Sequence, residues 1–436
     1  MNEEHTMNDQ SSQIAKRHTT YALIILVLIN SINYMDRYVV SILLPGITED
    51  LSLTDTQAGL LTGLAFALFY ALMALPIGMA VDRFVRKYVL AAGILVWSFA
   101  TFASGMAGRF ISLFAVRALT GAGESSAHPS GVSLLGDYFS QKFRTTAIAI
   151  FQMGVPIGAG LGLILGGILV ERFGWRQTFF IYAAPGVILI PLILMIKEPV
   201  RGASEGLTEE DSENIMSEGF WTKVRKILSL KTLVYHYIAT ALIMFASQGF
   251  SMWLPTYLIR ERGFTEEFAG TITGVGYLIG GFVGALGGAI IADRWFRRDK
   301  KGRIKVQSIA ALLAIPFVFI ALFSTNNAIL IPGILMAIIL SIAMFPILSA
   351  IIVDLTEPQD RGVAMALLLL FQTGIGFSLG PTVVGWISDL TGSLMLGLLA
   401  MPTAYLAVMV MGLLAMRHVI PEYEAVQKKI AGYHTS

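Results

Sequence analysis

The sequence contains no cysteine and few charged residues, and both scarcities limit what the protein can be. Without thiols, disulfide bonds and thiolate-bound metal ions are excluded. Charged residues make up 14% of the 436 residues, whereas a soluble protein has roughly 25%. Hydrophobic residues make up 55% of the chain, so the composition predicts an integral membrane protein.

Basic residues are not gathered into an amphipathic array, and the net charge is only +2, so we expect no nucleic-acid partner. Residues 1–19 lack the short apolar core and small-residue cleavage site of a signal peptide. We interpret this segment as a cytoplasmic N-terminal tail and expect the first apolar run to direct insertion. In a bacterium, the expected location is the cytoplasmic (inner) membrane.

Apolar runs of about 20 residues, long enough to cross a bilayer, occur twelve times. Alternating segments of about ten residues, typical of barrels, are absent, so these spans are predicted to be helices. When both termini are placed in the cytoplasm, 24 of the 31 Lys and Arg fall on the inner side, as the positive-inside rule requires. Spans one to twelve cover 20–45, 57–81, 88–105, 111–136, 145–170, 178–196, 232–257, 269–292, 307–323, 330–353, 362–387 and 394–416.

A long connection, 197–231, divides the spans into six and six. We therefore predict an N-terminal bundle at 20–196, a C-terminal bundle at 232–416 and a cytoplasmic tail at 417–436. The first part of the connection is acidic, and a disordered linker is an alternative to ordered structure there. Later, Phe220, Val224, Ile227 and Leu228 share a helical face, which predicts a short helix on the inner membrane surface.

Charged loops recur in the two halves. Asp82-Arg83-x-x-Arg86-Lys87 follows span two, and Asp293-Arg294-x-x-Arg297-Arg298 follows span eight, 211 residues later. Residues 137–144 have a counterpart at 354–361, 217 residues later. Such repeats predict two pseudo-symmetric bundles that rock about a central site. Ordinary topology charges would explain the basic residues but not the repeat, so we expect a latch at the inner gate, formed by Asp82, Arg83, Arg86, Asp293, Arg294 and Arg297.

Glycine recurs at every fourth position in two spans, at 154, 158, 162 and 166 in span five and at 276, 280, 284 and 288 in span eight. Small residues at this spacing let helices approach closely. We interpret both ladders as packing surfaces.

Ionisable residues inside a membrane span are costly and mark substrate or proton pathways by default. Asp36 and Arg37 lie in span one, while Arg117, Glu124 and His128 fall within about 40° of one another on span four. An arginine that moves away from a carboxylate changes the proton affinity of that carboxylate. We therefore expect Asp36 and Glu124 to be exchangeable protonation sites, with Arg37 and Arg117 as alternating partners. Fixed structural ion pairs are the alternative, and His128, Asn33 and Tyr34 are accessory candidates.

The second half has no ionisable residue deep within its spans. A cavity between the halves would then be charged on one side and apolar and aromatic on the other, which suits an amphiphile better than a sugar. The residues that we expect to line it in this half are Phe245, Gln248, Trp253, Phe345 and Gln372.

Two sets of motifs resemble a known family. Gly78-x-x-x-Asp82-Arg83-x-x-Arg86-Lys87 and Arg117-x-x-x-Gly121-x-Gly123 resemble motifs of the major facilitator superfamily, although Val85 replaces a usual glycine and the second copy has Gly288 five residues before Asp293. Within it, Asn33-Tyr34-Met35-Asp36-Arg37-Tyr38 and Gly121-Ala-Gly123-Glu124-Ser-Ser resemble the Spinster family. An Asn-Tyr-x-Asp-Arg stretch is also found in the anion:cation symporter family.

The resemblance implies the major facilitator fold and proton-linked transport of a lysophospholipid- or sphingolipid-like amphiphile by alternating access, with Asp36, Arg117 and Glu124 in the mechanism. We expect a monomer in membrane lipid that needs no cofactor because a proton gradient supplies the energy. A proton-coupled organic-anion or drug transporter is the main alternative. A membrane-embedded lipid-modifying enzyme is a distant one, because Glu124 and His128 are the one candidate metal pair and no third ligand accompanies them.

Overall fold

A computed structural model describes residues 2–199 and 220–433, and within these ranges the chain is helical and contains no β-strand. This all-α architecture confirms the predicted fold class. The acidic part of the connection between the halves lies outside the described residues.

The first half comprises eight helices in the described residues. They are α1 (Asn2–Asp50), α2 (Asp55–Thr62), α3 (Leu64–Arg83), α4 (Arg86–Met106), α5 (Phe110–Glu124), α6 (Ala127–Tyr138), α7 (Gln141–Gln152) and α8 (Gly154–Leu194).

The second half begins with a short helix and continues with the remaining spans. Its helices are α9 (Phe220–Ser229), α10 (Lys231–Arg260), α11 (Glu266–Ile279), α12 (Leu286–Arg298), α13 (Gly302–Phe323), α14 (Asn327–Ala343), α15 (Phe345–Leu355), α16 (Arg361–Leu369), α17 (Ser378–Thr391), α18 (Leu394–Leu398), α19 (Ala400–Ala415) and α20 (Val419–Tyr433). Turns of π-helix join α11 to α12 (Gly280–Ala285) and α16 to α17 (Leu370–Phe377), and a 3-10 turn covers Pro358–Asp360.

Ten segments of the described chain are long and apolar enough to cross a membrane. One of them, Lys142–Leu194, has 53 residues, or about 80 Å of helix, and a bilayer core is only about 30 Å thick. Its helix breaks at Gly174, where φ is +76°, and the Tyr182 hydroxyl donates to the Gly162 carbonyl at 2.6 Å. The segment therefore folds back on itself as spans five and six. The total of twelve spans and the cytoplasmic termini stay predictions.

Both glycine ladders are packing surfaces. In span five, a Cβ atom at Gly158 would lie 2.1 Å from the Ser31 carbonyl oxygen, so the ladder holds α8 directly against α1. In span eight, a Cβ atom at Gly288 would lie 2.1 Å from the Ala343 carbonyl oxygen of α14. At both positions only glycine allows the observed approach of the two backbones.

With the termini placed in the cytoplasm as predicted, the two halves approach each other at the outer ends of their spans. A Cβ atom at Gly59 in span two would lie 2.4 Å from the Pro381 carbonyl oxygen in span eleven. Likewise, a Cβ atom at Gly274 in span eight would lie 2.5 Å from the Gly160 carbonyl oxygen in span five. These backbone contacts close the outer side of the space between the halves, which we call the central chamber.

Carboxylates reinforce this outer closure by capping helices of the opposite half. Asp389, in α17, accepts hydrogen bonds from the backbone N–H groups of Asp55 (2.9 Å) and Thr56 (2.8 Å) at the start of α2. Glu171, in α8, accepts one from the Glu267 N–H at the start of α11 (3.0 Å). A negative charge at a helix N-terminus satisfies free N–H groups and the helix dipole. The two caps occupy equivalent positions in the two halves.

The helix α9 lies where the sequence predicts a surface helix, but its apolar residues divide between two faces. Val224 and Ile227 are buried against the protein, while Phe220 and Leu228 are exposed. Its Lys226 forms ion pairs with buried carboxylates of the loop between spans ten and eleven, at 2.9 Å from Glu357 and 2.7 Å from Asp360. Partial burial would lower the pKa of Lys226, but these hydrogen bonds raise it above its usual value.

Replacing Gly158 by alanine tests the packing of span five on span one. The new Cβ would clash with backbone, so we expect the free energy of unfolding to fall by about 1–3 kcal/mol. Thermal unfolding in detergent measures the change. Gly287→Ala is the control, because a Cβ there meets nothing within 4 Å. Equal unfolding midpoints for the two variants would contradict the packing role.

Removing the two caps tests the outer closure. In the double variant Asp389→Ala and Glu171→Ala, we expect the outer ends of the halves to separate, because each change removes a bond between halves. Spin labels at Met106→Cys and Asn327→Cys, in this cysteine-free chain, report the separation by pulsed electron paramagnetic resonance.

Glu261→Ala is the matched control, because Glu261 caps Leu394 and Met395 within its own half. An unchanged distance distribution in the double variant, or an equal change in the control, would show that the caps do not hold the outer side closed.

Candidate functional site

The site is built around a break in span four. Helix α5 ends at Glu124, and α6 begins at Ala127. The hydroxyls of Ser125 and Ser126 donate to the carbonyls of Ala122 (2.7 Å) and Gly123 (2.9 Å), which satisfies acceptors in the last turn of α5. The break places the Glu124 carboxylate at a helix end in the interior of the first half, where it is fully buried.

Glu124 forms an ion pair with Arg37 of span one. Both Nε (3.1 Å) and Nη2 (3.0 Å) of Arg37 donate to the same carboxylate oxygen, Oε2. Nη2 also donates to the Asn33 side-chain oxygen at 3.2 Å. The other oxygen of Glu124, Oε1, is buried and has no hydrogen-bond partner among the described residues. The pair therefore keeps one acceptor position for a proton, a water molecule or a ligand.

Aromatic rings surround the Arg37 guanidinium. Its central carbon lies 4.3 Å from the ring centre of Tyr34, 4.8 Å from that of Phe66 and 4.9 Å from that of Tyr70. Aromatic faces attract a cation, most strongly when water is excluded. This aromatic cage, formed by Tyr34, Phe66 and Tyr70, offers Arg37 an interaction that does not depend on Glu124.

Arg117 stays outside this ion pair. Its guanidinium lies 5.3 Å from the ring centre of Phe66. Its Nε has no hydrogen-bond partner within residues 2–199 and 220–433, although the side chain is only 2% exposed. Nearby, a Cβ atom at Gly121 would lie 2.3 Å from the Phe66 carbonyl oxygen. The missing side chain at Gly121 thus lets span two approach.

Asp36 has a different environment from Glu124. Its Oδ2 accepts a hydrogen bond from the Thr101 hydroxyl of span three at 3.2 Å, and its Oδ1 has no partner. Asp36 also lines a cavity of about 190 Å³ between spans one, five and six, together with apolar residues such as Leu165 and with Tyr182. The two carboxylates predicted to exchange protons are therefore bonded to different helices.

His128 is exposed, in contrast to its buried neighbours on α6. Its Nε2 lies 3.4 Å from the side-chain nitrogen of Gln152 in α7. Asn33 and Tyr34 both contact Arg37, so two of the three accessory candidates belong to the charged cluster.

In the second half, Gln248 is bonded directly to the first half. The Tyr38 hydroxyl lies 3.3 Å from the oxygen and 3.2 Å from the nitrogen of the Gln248 amide. The Tyr38 ring also contacts the Tyr277 ring edge-on, at 4.8 Å between centres, and the Tyr277 hydroxyl donates to Ser251. Polar contacts between the halves thus begin at Tyr38, the residue that directly follows Arg37 in span one.

The other predicted lining residues differ in their surroundings. Phe245, Phe345 and Gln372 are partly exposed, and their place on the chamber wall stays a prediction. Trp253 is fully buried and donates to the Pro381 carbonyl at 2.8 Å, because the absent side chain at Gly385 makes room for its ring. It packs span seven against span eleven, and its place on the cavity wall stays a prediction.

The ion pairs at the predicted inner latch involve different residues in the two halves: a motif arginine in the first half and an arginine outside the motif in the second. Arg86 pairs with Asp137 and, at 2.8 Å, with Glu198. In the second half, Arg303 pairs with Asp354 and, at 2.8 Å, with Asp293. The remaining predicted members of the latch are exposed; they are Asp82, Arg83, Arg294 and Arg297. Whether the ion pairs act as a gate stays a prediction.

Sequence reasoning missed Arg303, although a signal for it exists. The offset of 217 residues that relates Asp137 to Asp354 also relates Arg86 to Arg303. Asp82 and Asp293 are related by an offset of 211 residues, but the arginine and aspartate that form the ion pair in each half are related by 217 residues. Tyr38 and Tyr70 were also missed, because nothing in their spacing distinguishes them from other aromatic residues in the spans.

The cluster has no features of a metal site. Among the described residues, no group of three or more His, Cys, Asp or Glu side chains is placed to hold a metal ion.

Asp36, Arg37, Arg117 and Glu124 carry two charges of each sign when ionised. Protonating either carboxylate would leave the cluster with a net positive charge.

Comparisons with known proteins agree with this architecture. Over 411 residues, 89% of this chain and 81% of the relative, the sequence is 28% identical to Protein spinster homolog 3 of Danio rerio. It is 27% identical over 385 residues to an MFS-type efflux pump of Mycolicibacterium smegmatis, covering 87% of each chain.

Solved structures show the same fold. The crystal structure of a bacterial homolog of the human lysosomal transporter Spinster, in an inward-facing and unoccupied conformation, matches with a TM-score of 0.77 at 24% identity, covering 94% of this chain and 97% of that one. A D-xylose–proton symporter matches with a TM-score of 0.72 at 15% identity over 92% of this chain and 98% of that one.

The family model of the Major Facilitator Superfamily matches residues 26–301. This match covers more than half of the chain and includes spans one to eight. The protein is therefore an integral membrane transporter, not an enzyme, and it belongs to the Major Facilitator Superfamily.

Proposed function

We propose that this transporter couples proton movement to the transport of a lysophospholipid- or sphingolipid-like amphiphile by alternating access. The observation that carries the proposal is the buried Arg37–Glu124 pair, in which Glu124 keeps one unbonded oxygen and Arg37 keeps an aromatic cage.

Proton coupling would arise because Arg37 can bond either to ionised Glu124 or, once Glu124 is protonated, to an anionic substrate. While Glu124 is ionised, it holds Arg37 through two hydrogen bonds to one oxygen. When Glu124 binds a proton, it loses its charge and the attraction between the two side chains weakens. Arg37, still held by aromatic rings, can then bind an anionic headgroup, since guanidinium suits phosphate and carboxylate geometry. A proton and an anionic substrate would thus occupy the site together.

The amphiphile follows from the unequal halves of the chamber. The buried charges of the spans lie in the first half, at Asp36, Arg37, Arg117 and Glu124. The second half contributes partly buried aromatic residues, including Phe345 and Phe371. A substrate with a charged headgroup and an apolar chain would match both sides. The similarity to Spinster proteins supports this substrate class.

A small organic anion or a drug is the second candidate substrate. Arg117 favours it, because in the described part of the chain this buried guanidinium has no carboxylate within hydrogen-bonding distance and its Nε is unbonded. The similarity to a mycobacterial efflux pump points in the same direction.

Transport in liposomes separates these substrates. With purified protein in vesicles, we expect labelled lysophospholipid to move and an imposed pH gradient to increase its flux, because the proton and the substrate share the site. Protein-free vesicles measure leakage. Movement of a small organic anion without movement of lysophospholipid would exclude the lipid substrate.

Glu124→Gln tests the coupling residue. The amide is isosteric but cannot exchange a proton, so we expect the pH gradient to have no effect on flux while substrate binding remains detectable. Glu49→Gln, an exposed site at the outer end of α1, is the control and should keep the wild-type response. If the flux through Glu124→Gln still rises with the gradient, Glu124 is a structural partner of Arg37 only.

A further inference from the structure

A cluster of arginines at the inner end of α12 takes no part in the site described above. Arg294, Arg297 and Arg298 are exposed. Together with Ile291 and Trp295 they line an open, concave pocket with a volume of about 510 Å³. Residues three and four apart share a helix face, so the three guanidinium groups converge on one side of α12. Three positive charges on one small concave surface make an anion-binding site chemically reasonable.

The acidic residues beside this cluster are bonded to other cations. Asp293 pairs with Arg303 at 2.8 Å, and Asp299 pairs with Lys305 at 2.6 Å. The hydrogen bond from Lys305 holds the pKa of Asp299 below its usual value, which keeps this carboxylate ionised and engaged. In the described chain, no carboxylate lies within ion-pair distance of Arg294, Arg297 or Arg298. The cluster therefore keeps its full positive charge.

The equivalent loop of the first half is built differently. There Arg86 is 1% exposed and pairs with Asp137 and Glu198, while Lys87 donates to the carbonyls of Leu194 and Ile196. The first half uses Arg86 and Lys87 for internal bonds and exposes Arg83, whereas the second half exposes three arginines. Internal bonds of the fold therefore do not account for the exposed cluster.

An apolar surface continues from the cluster toward the membrane interior. Val283, Leu286, Ile290 and Ile291 are each about half exposed on the same helix and its π turn. Trp295 is 40% exposed, at the level between these residues and Arg298. Tryptophan favours the boundary between hydrocarbon and headgroups. Along the helix, apolar residues thus come first and Trp295 follows among the three arginines, which matches the order of acyl chain and headgroup in a phospholipid.

We propose that the inner end of α12 binds the phosphate of an anionic membrane phospholipid, with Arg294, Arg297 and Arg298 on the headgroup and an acyl chain along Leu286 and Ile290. Guanidinium groups bind phosphate with paired hydrogen bonds, and a patch on the inner surface faces the anionic leaflet. The adjoining apolar surface favours a lipid over free phosphate. The bound lipid would be a resident of the membrane, separate from the transported substrate.

Native mass spectrometry of the purified protein, titrated with phosphatidylglycerol or phosphatidylcholine, tests this site. The triple variant Arg294→Gln, Arg297→Gln and Arg298→Gln should bind phosphatidylglycerol about fivefold more weakly for each arginine replaced. Phosphatidylcholine binding should change little. Lys142→Gln, Arg225→Gln and Lys428→Gln together form the control, because they remove the same charge from exposed positions elsewhere.

Two results would overturn the proposal. One is an equal loss of phosphatidylglycerol in the triple variant and the control, which would mean that only net charge matters. The other is displacement of phosphatidylglycerol from the wild-type protein by an equal concentration of inorganic phosphate, which would mark a free-anion site. Neither result bears on the transported substrate, so the proposed transport function is tested separately.

Discussion

Burying a guanidinium and a carboxylate in a membrane protein is costly unless the two groups bond to each other, and this constraint organises the first half around Arg37 and Glu124. The broken helix at Ser125 presents the carboxylate, and the bare backbone at Gly121 admits span two with Phe66. The aromatic cage then stabilises the cation without a second charge. Because the cage and the carboxylate both hold Arg37, the loss of one partner leaves the other in place.

The contacts between the halves include one that lies next to this cluster along the chain. Glycines bring spans two and eleven, and spans five and eight, into backbone contact at their outer ends, and carboxylates cap the facing helices. Tyr38, the residue after Arg37, connects the halves through Gln248. In the proposed mechanism, a change in the bonding of Arg37 would therefore occur next to contacts that break when the outer side opens.

Much of the fold was predictable from sequence, because spans, glycine ladders and charged loops are one-dimensional patterns. The helical fold agrees with those patterns. Arg37 and Glu124, which the sequence marks as ionisable residues inside spans, do form an ion pair. Partners set by tertiary packing were not predictable: Thr101 bonds to Asp36, and Trp253 is enclosed by span eleven because Gly385 lacks a side chain. Arg303 replaced the expected cations of the second loop because the repeat offset changes within that loop. The roles of Asp36 and Glu124 as proton carriers stay predictions.

The most direct test of the central claim is the number of protons exchanged when substrate binds. With purified protein in weakly buffered detergent solution, adding an anionic lysophospholipid should cause proton uptake, because Glu124 binds a proton as Arg37 turns to the headgroup. The uptake should disappear in Glu124→Gln while binding persists. Substrate binding without any proton uptake in the wild-type protein, or with equal uptake in the variant, would contradict the exchange of partners at Arg37.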